Sequence, residues 1–140
     1  MTLVLTVDER GGIAFGNKRQ SRDKALTKDI FNLKKGARIL AKEYSRLIFD
    51  EARPIPYEPI FTSDPVKEAK SGDVVLLELE ASRDTIEGAE EIFIYSWNRH
   101  YPSTAKLDME LIKEKFLLAE QVDFEGNSHE NLTRLHYKRK

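Results

Sequence analysis

Cysteine is absent from this chain, so neither disulfides nor thiolate chemistry is open to it. Long apolar runs are absent too. Val74-Val75-Leu76-Leu77 is among the longest, far short of the ~20 residues a membrane-crossing helix needs. Met1-Thr2-Leu3-Val4-Leu5-Thr6-Val7 has no basic leader and no small-residue cleavage site, so it reads as a strand rather than an export signal. Neither sign of charge dominates: 23 basic residues face 24 acidic ones, for a net charge of −1. That balance excludes a global field recruiting nucleic acid or a lipid surface. With no staple required, 140 residues suffice for one domain over 1–140, burying roughly 70% of its unfolded surface. A cytoplasmic protein without a membrane partner is the expectation.

What is present is a strongly patterned strand, Ile92-Phe93-Ile94-Tyr95-Ser96-Trp97, running into Asn98-Arg99-His100-Tyr101-Pro102. Phe93, Tyr95 and Trp97 share one face while Ile92 and Ile94 take the other, because strand side chains alternate. Thr2–Val7 predicts a strand ended by a Gly11-Gly12 turn. Ser21 predicts the cap of a helix over 22–35, with Asp23 in its first turn, Leu26, Ile30 and Leu33 on one stripe, and Gly36 closing it. Residues 38–40 predict a short strand before a helix over 42–50. Pro54, Pro56 and Pro59 then bar helix, leaving Ile60-Phe61 as another strand. A helical turn over 65–69, a central strand over 74–79 and the strand over 92–97 follow. Residues 109–118 fit helix or strand. Phe116–Phe124 and residues 132–137 predict an antiparallel pair joined through Gly126-Asn127-Ser128.

In this order the pieces resemble dihydrofolate reductase across the whole chain, with altered motifs. The carrying residues are Leu5 to Ile13, Arg38-Ile39-Leu40-Ala41-Lys42, Arg53-Pro54-Ile55-Pro56 with Ile60-Phe61-Thr62-Ser63, residues 92–108, and the closing segment from Phe124 to Tyr137. Arg19-Gln20-Ser21-Arg22-Asp23 together with Trp97-Asn98-Arg99 also resembles a short branch of that fold known in Firmicutes. Members of that branch sometimes carry the name ribonuclease Z, but the closely spaced His and Asp of that zinc hydrolase are missing here, and no metal site is expected. The resemblance implies an α/β three-layer sandwich with a central mixed, mostly parallel sheet and a C-terminal antiparallel hairpin. It also implies a mobile Gly11-Gly12 loop over the substrate pocket.

The departures point away from the family's reaction. Glu78-Leu79 stand where the reductases have a Gly-Gly pair that admits the cofactor's diphosphate, and a carboxylate there repels phosphate. Lys42 could replace the family's phosphate-binding Arg only as a point charge. Asp23 falls where the family's substrate carboxylate lies, which makes it a candidate acid or ligand anchor; the competing reading is a surface Asp favoured by the helix dipole. Tyr95 could donate its hydroxyl into a pocket, Trp97 could stack on a planar ligand, and Asn98, Arg99 and Arg22 could add polar contacts. Against these stands a satisfied aromatic core. No Ser-His-Asp arrangement is evident, and Ser128-His129-Glu130 carries little weight because neighbours in a strand diverge.

Three functions remain open. The first is a small-ligand-binding domain, a pseudo-enzyme holding a small planar or nucleotide-like molecule with no bound cofactor. The second is an oxidoreductase acting on a planar heterocycle, provided the altered site still accepts NADPH. The third is a nucleic-acid module using Lys18, Arg19, Arg22 and the basic tail.

Overall fold

The computed structural model describes residues 1–140. Its centre is a seven-stranded sheet in the order β5-β4-β6-β1-β7-β10-β9. The strands are β1 (Thr2–Val7), β4 (Ile39–Ala41), β5 (Ile60–Phe61), β6 (Val74–Leu76), β7 (Glu91–Ser96), β9 (Phe116–Phe124) and β10 (Leu132–Arg139). β5, β4, β6, β1 and β7 pair in parallel, whereas β10 runs antiparallel to both β7 and β9. A second sheet, order β3-β2-β8, is built from β2 (Gly12–Phe15), β3 (Lys18–Arg19) and β8 (Ala105–Lys106).

β1 is buried on both faces, as a central parallel strand must be. Val4 packs with Phe93, Tyr95 and Trp97 under α1 (Lys24–Ile30) and α2 (Arg46–Glu51). Leu3, Leu5 and Val7 pack with Ile92 and Ile94 on the other face, together with Val66 of α3 (Pro65–Glu68), Ile86 of α4 (Arg83–Gly88) and Leu111 and Ile112 of α5 (Met109–Lys115). Two apolar layers therefore flank one sheet, and the chain is the three-layer α/β sandwich expected.

Several local expectations change. The helix predicted over 22–35 ends at Ile30; tight turns then carry Phe31 into edge contacts with Phe49 and Tyr57, at 5.8 and 5.1 Å between ring centres. The strand predicted over 74–79 ends at Leu76, where the chain turns to send Glu78 toward Arg19. The 42–50 segment opens with a 3-10 turn, Glu43–Ser45, before α2. The ambiguous 109–118 stretch divides into α5 and the start of β9. The Gly11-Gly12 turn is present and leads straight into the β2–β3 hairpin. Gly16 and Asn17, with φ of 58° and 59°, form its two-residue turn.

Candidate functional site

The C-terminal ends of β1, β6 and β7 meet the β2–β3 hairpin and the start of α1, and two polar networks fill that junction. The first is built on Asp23. This residue is not in the first turn of α1 but caps it from an extended backbone (φ −153°, ψ 127°), and it replaces Ser21 as the N-cap. Its Oδ1 accepts from the amides of Ala25 (2.8 Å) and Leu26 (3.3 Å). The remaining lone pairs hold the 126–129 connection between β9 and β10, through the amides of Asn127 (2.9 Å), Ser128 (2.8 Å) and His129 (3.1 Å). Gly126 makes this approach possible. A Cβ there would lie 2.6 Å from the His129 carbonyl oxygen and 2.7 Å from Asp23 Oδ2.

Burial drives the Asp23 carboxyl upward, yet the amides of Asn127 and Ser128, the His129 ring and the Leu26 amide outweigh it and lower the pKa to about 2. Asp23 is thus a buried, ionised group, and the surface-aspartate reading does not hold. Its lone pairs are engaged by the chain itself.

From Asp23 the network continues outward. His129 Nδ1 lies 3.0 Å from Asp23 Oδ2, and its Nε2 lies 3.0 Å from Ser21 Oγ. The Tyr101 hydroxyl is 3.3 Å from the same nitrogen, and the Trp97 ring lies against the imidazole at 5.0 Å between centres. No local pattern marks this row, because His129 stands 108 positions after Ser21. Trp97, Ser21 and Asp23 border a cavity of only about 10 Å³, room for about one water molecule.

The second network closes the neighbouring edge. The Arg19 guanidinium grips Glu78 with both prongs, Nε to Oε1 at 2.8 Å and Nη2 to Oε2 at 2.9 Å. Ser45 Oγ donates to Glu78 Oε2 at 2.7 Å, Arg19 Nη2 reaches the Tyr44 carbonyl, and the guanidinium lies over the Tyr44 ring. Hairpin, 3-10 turn and β6 are thereby tied together. Beside this knot is a cavity of about 240 Å³ lined by Lys42, Tyr44, Ser45, Glu78, Leu79 and Glu80, among others.

The other predicted site residues are dispersed. Tyr95 is fully buried, its hydroxyl donating to Asp29 Oδ2 at 2.7 Å beside Arg134. Burial, then the Asp29 carboxylate, pushes its pKa well above the ordinary tyrosine value. Asn98, at φ 57°, spends its side chain on Thr133 Oγ1 and the Asn131 carbonyl. Arg99 is exposed, and its carbonyl accepts from the Glu9 amide. Arg22 pairs with Glu51 at 3.0 Å on the surface. Of the predicted group, Lys42 alone borders the cavity of about 240 Å³, whereas Arg22 and Asp23 line an open hollow of about 430 Å³ with Glu51, Asn127 and Ser128. No cluster of three His, Cys, Asp or Glu side chains has metal-ligating geometry, and no helix is long and apolar enough to cross a membrane.

Neither a family model nor a curated protein matches the sequence. Among solved structures, dihydrofolate reductase from Enterococcus faecalis, in its complex with NADP(H) and RAB-propyl, matches at a TM-score of 0.59 with 11% identity. The alignment spans 99% of this chain and 96% of that one, so the two share a fold from end to end, and the chain has a dihydrofolate-reductase-like fold.

Proposed function

We propose that the chain is a small-ligand-binding domain on a dihydrofolate-reductase-like scaffold, no longer shaped for NADPH. The observation carrying this reading is the Arg19–Glu78 pair at the end of β6. A diphosphate passing there would meet the side chains of Glu78 and Glu80, and the Arg19 charge that would attract it is already spent on Glu78. The residues present do not fit a dinucleotide. What they leave is a cavity of about 240 Å³, below the roughly 300–1,000 Å³ of pockets for drug-sized ligands.

With Glu78 neutralised by Arg19, Lys42 and Glu80 leave that cavity one charge of each sign, while Leu76, Leu77 and Leu79 supply apolar wall. This suits an uncharged or zwitterionic planar molecule of nucleobase size. Within the basic cluster read as a nucleic-acid contact, Arg19 is compensated by Glu78 and Arg22 by Glu51. Thermal-shift screening tests the proposal. Free pterins, nucleobases and related single heterocycles should include a stabilising ligand, worth about 2.7 kcal/mol at 100 times its dissociation constant. Lys42→Ala should weaken that response, and a clear stabilisation by NADPH would overturn the reading.

A further inference from the structure

Asp23 needs only its amide partners to lock the 126–129 connection, yet its network runs on to an imidazole and a hydroxyl outside the cavity assigned above. We propose that Ser21 is an acyl-transfer nucleophile, that His129 is its general base, and that Asp23 is the residue positioning His129, with esters of short acyl groups as substrates.

The protonation pattern follows from the partners. An ionised carboxylate only accepts, so the Nδ1 of His129, 3.0 Å from Asp23 Oδ2, carries the ring proton. In the neutral ring Nε2 is then the acceptor, and Ser21 Oγ, 3.0 Å away, donates to it. The row is graded from inside to outside: Asp23 and His129 are buried, while Ser21 is partly exposed. The Tyr101 hydroxyl, 3.5 Å from Ser21 Oγ, places a further donor beside the nucleophile. The adjoining space between Ser21 and Trp97 is small, about 10 Å³, which favours short acyl groups over long ones.

The steps balance. Ser21 Oγ adds to the ester carbonyl carbon as its proton passes to His129 Nε2. Collapse of the tetrahedral adduct breaks the bond to the alkoxide, which leaves as the alcohol after taking that proton back. Water, deprotonated by the same nitrogen, then attacks acyl-Ser21 and releases the carboxylic acid, regenerating the hydroxyl.

The probe is p-nitrophenyl acetate with the full chain. Nitrophenolate release with an acetyl group mapped to Ser21 by peptide mass spectrometry is expected, and p-nitrophenyl butyrate should react roughly 10-fold or more slowly. Ser21→Ala, which keeps the Asp23 contacts to 126–129, should lose the adduct and lower turnover by roughly 10²–10⁴-fold. Asp23→Asn should lower kcat and move the acidic limb of the kcat–pH profile to lower pH in protein whose circular dichroism stays native, whereas a purely structural clamp would leave that limb in place. Acetyl groups confined to surface lysines, or undiminished hydrolysis by Ser21→Ala, would overturn the proposal.

Discussion

Asp23 joins the start of α1 to a connection more than a hundred positions later in the chain, and its energetics are those of a buried ionised acceptor. Asp23→Ala would strand the amides of Asn127, Ser128 and His129, and urea denaturation should register a loss of about 2–4 kcal/mol. The carboxyl's pKa is depressed from 3.8 to about 2. A depressed acid stabilises the fold above its unfolded pKa, so this contribution, about 2 kcal/mol, is whole above about pH 4 and fades as pH falls toward 2. In Asp23→Asn that part of the acid titration should be missing. At the second network, Glu78→Ala would leave the Arg19 guanidinium, only 12% exposed, without its counter-ion, at about 3–5 kcal/mol by the same assay. The paired change Arg19→Met with Glu78→Leu should recover most of that loss, because a buried ion pair and a fitted apolar pair are close in stability.

At the scale of elements, Gly126 is the hinge of the β9–β10 connection, and Gly126→Ala forces a Cβ to within 3.0 Å of Leu132 Cδ1 as well as onto Asp23. A destabilisation of about 1–3 kcal/mol is expected, with faster amide hydrogen exchange at Asn127 and Ser128 as the local signature. The elements also show what sequence patterning can and cannot reveal. β1 and β7 are legible because six-residue runs rich in β-branched, aliphatic and aromatic side chains suit strands buried on both faces, and the terminal pair because its strands are nine and eight residues long. α4 was missed although Ser82 caps it through Thr85 and Asp84 sits in its first turn, because one buried residue, Ile86, makes no stripe. β2, β3 and β8 were missed for a related reason: strands of two to four residues carry no measurable period. Asp23 and Trp97 are legible as candidate site residues, but that His129 touches both is not. Side-chain contacts across a hundred residues depend on strand order, which no local pattern encodes.

For the molecule as a whole, the sheet is the shared wall of both apolar layers, and Val4 and Leu5 of one strand serve opposite layers. Neither layer can be lost alone. We therefore predict one cooperative unfolding transition: Trp97, the sole tryptophan and 3% exposed, should report the same denaturation midpoint by fluorescence as far-ultraviolet circular dichroism does for the backbone. Separate midpoints would divide the chain into independent units.

The place of β10, wedged between β7 and β9, bears on how the protein is made. During synthesis β7 emerges well before its antiparallel neighbour, so its open edge waits while the remaining segments are translated. Only when the final hairpin slides in does the 126–129 connection reach Asp23 and fasten early chain to late. Nascent chains stalled before residue 132 should accordingly be clients for holdase chaperones, whereas released ones should not.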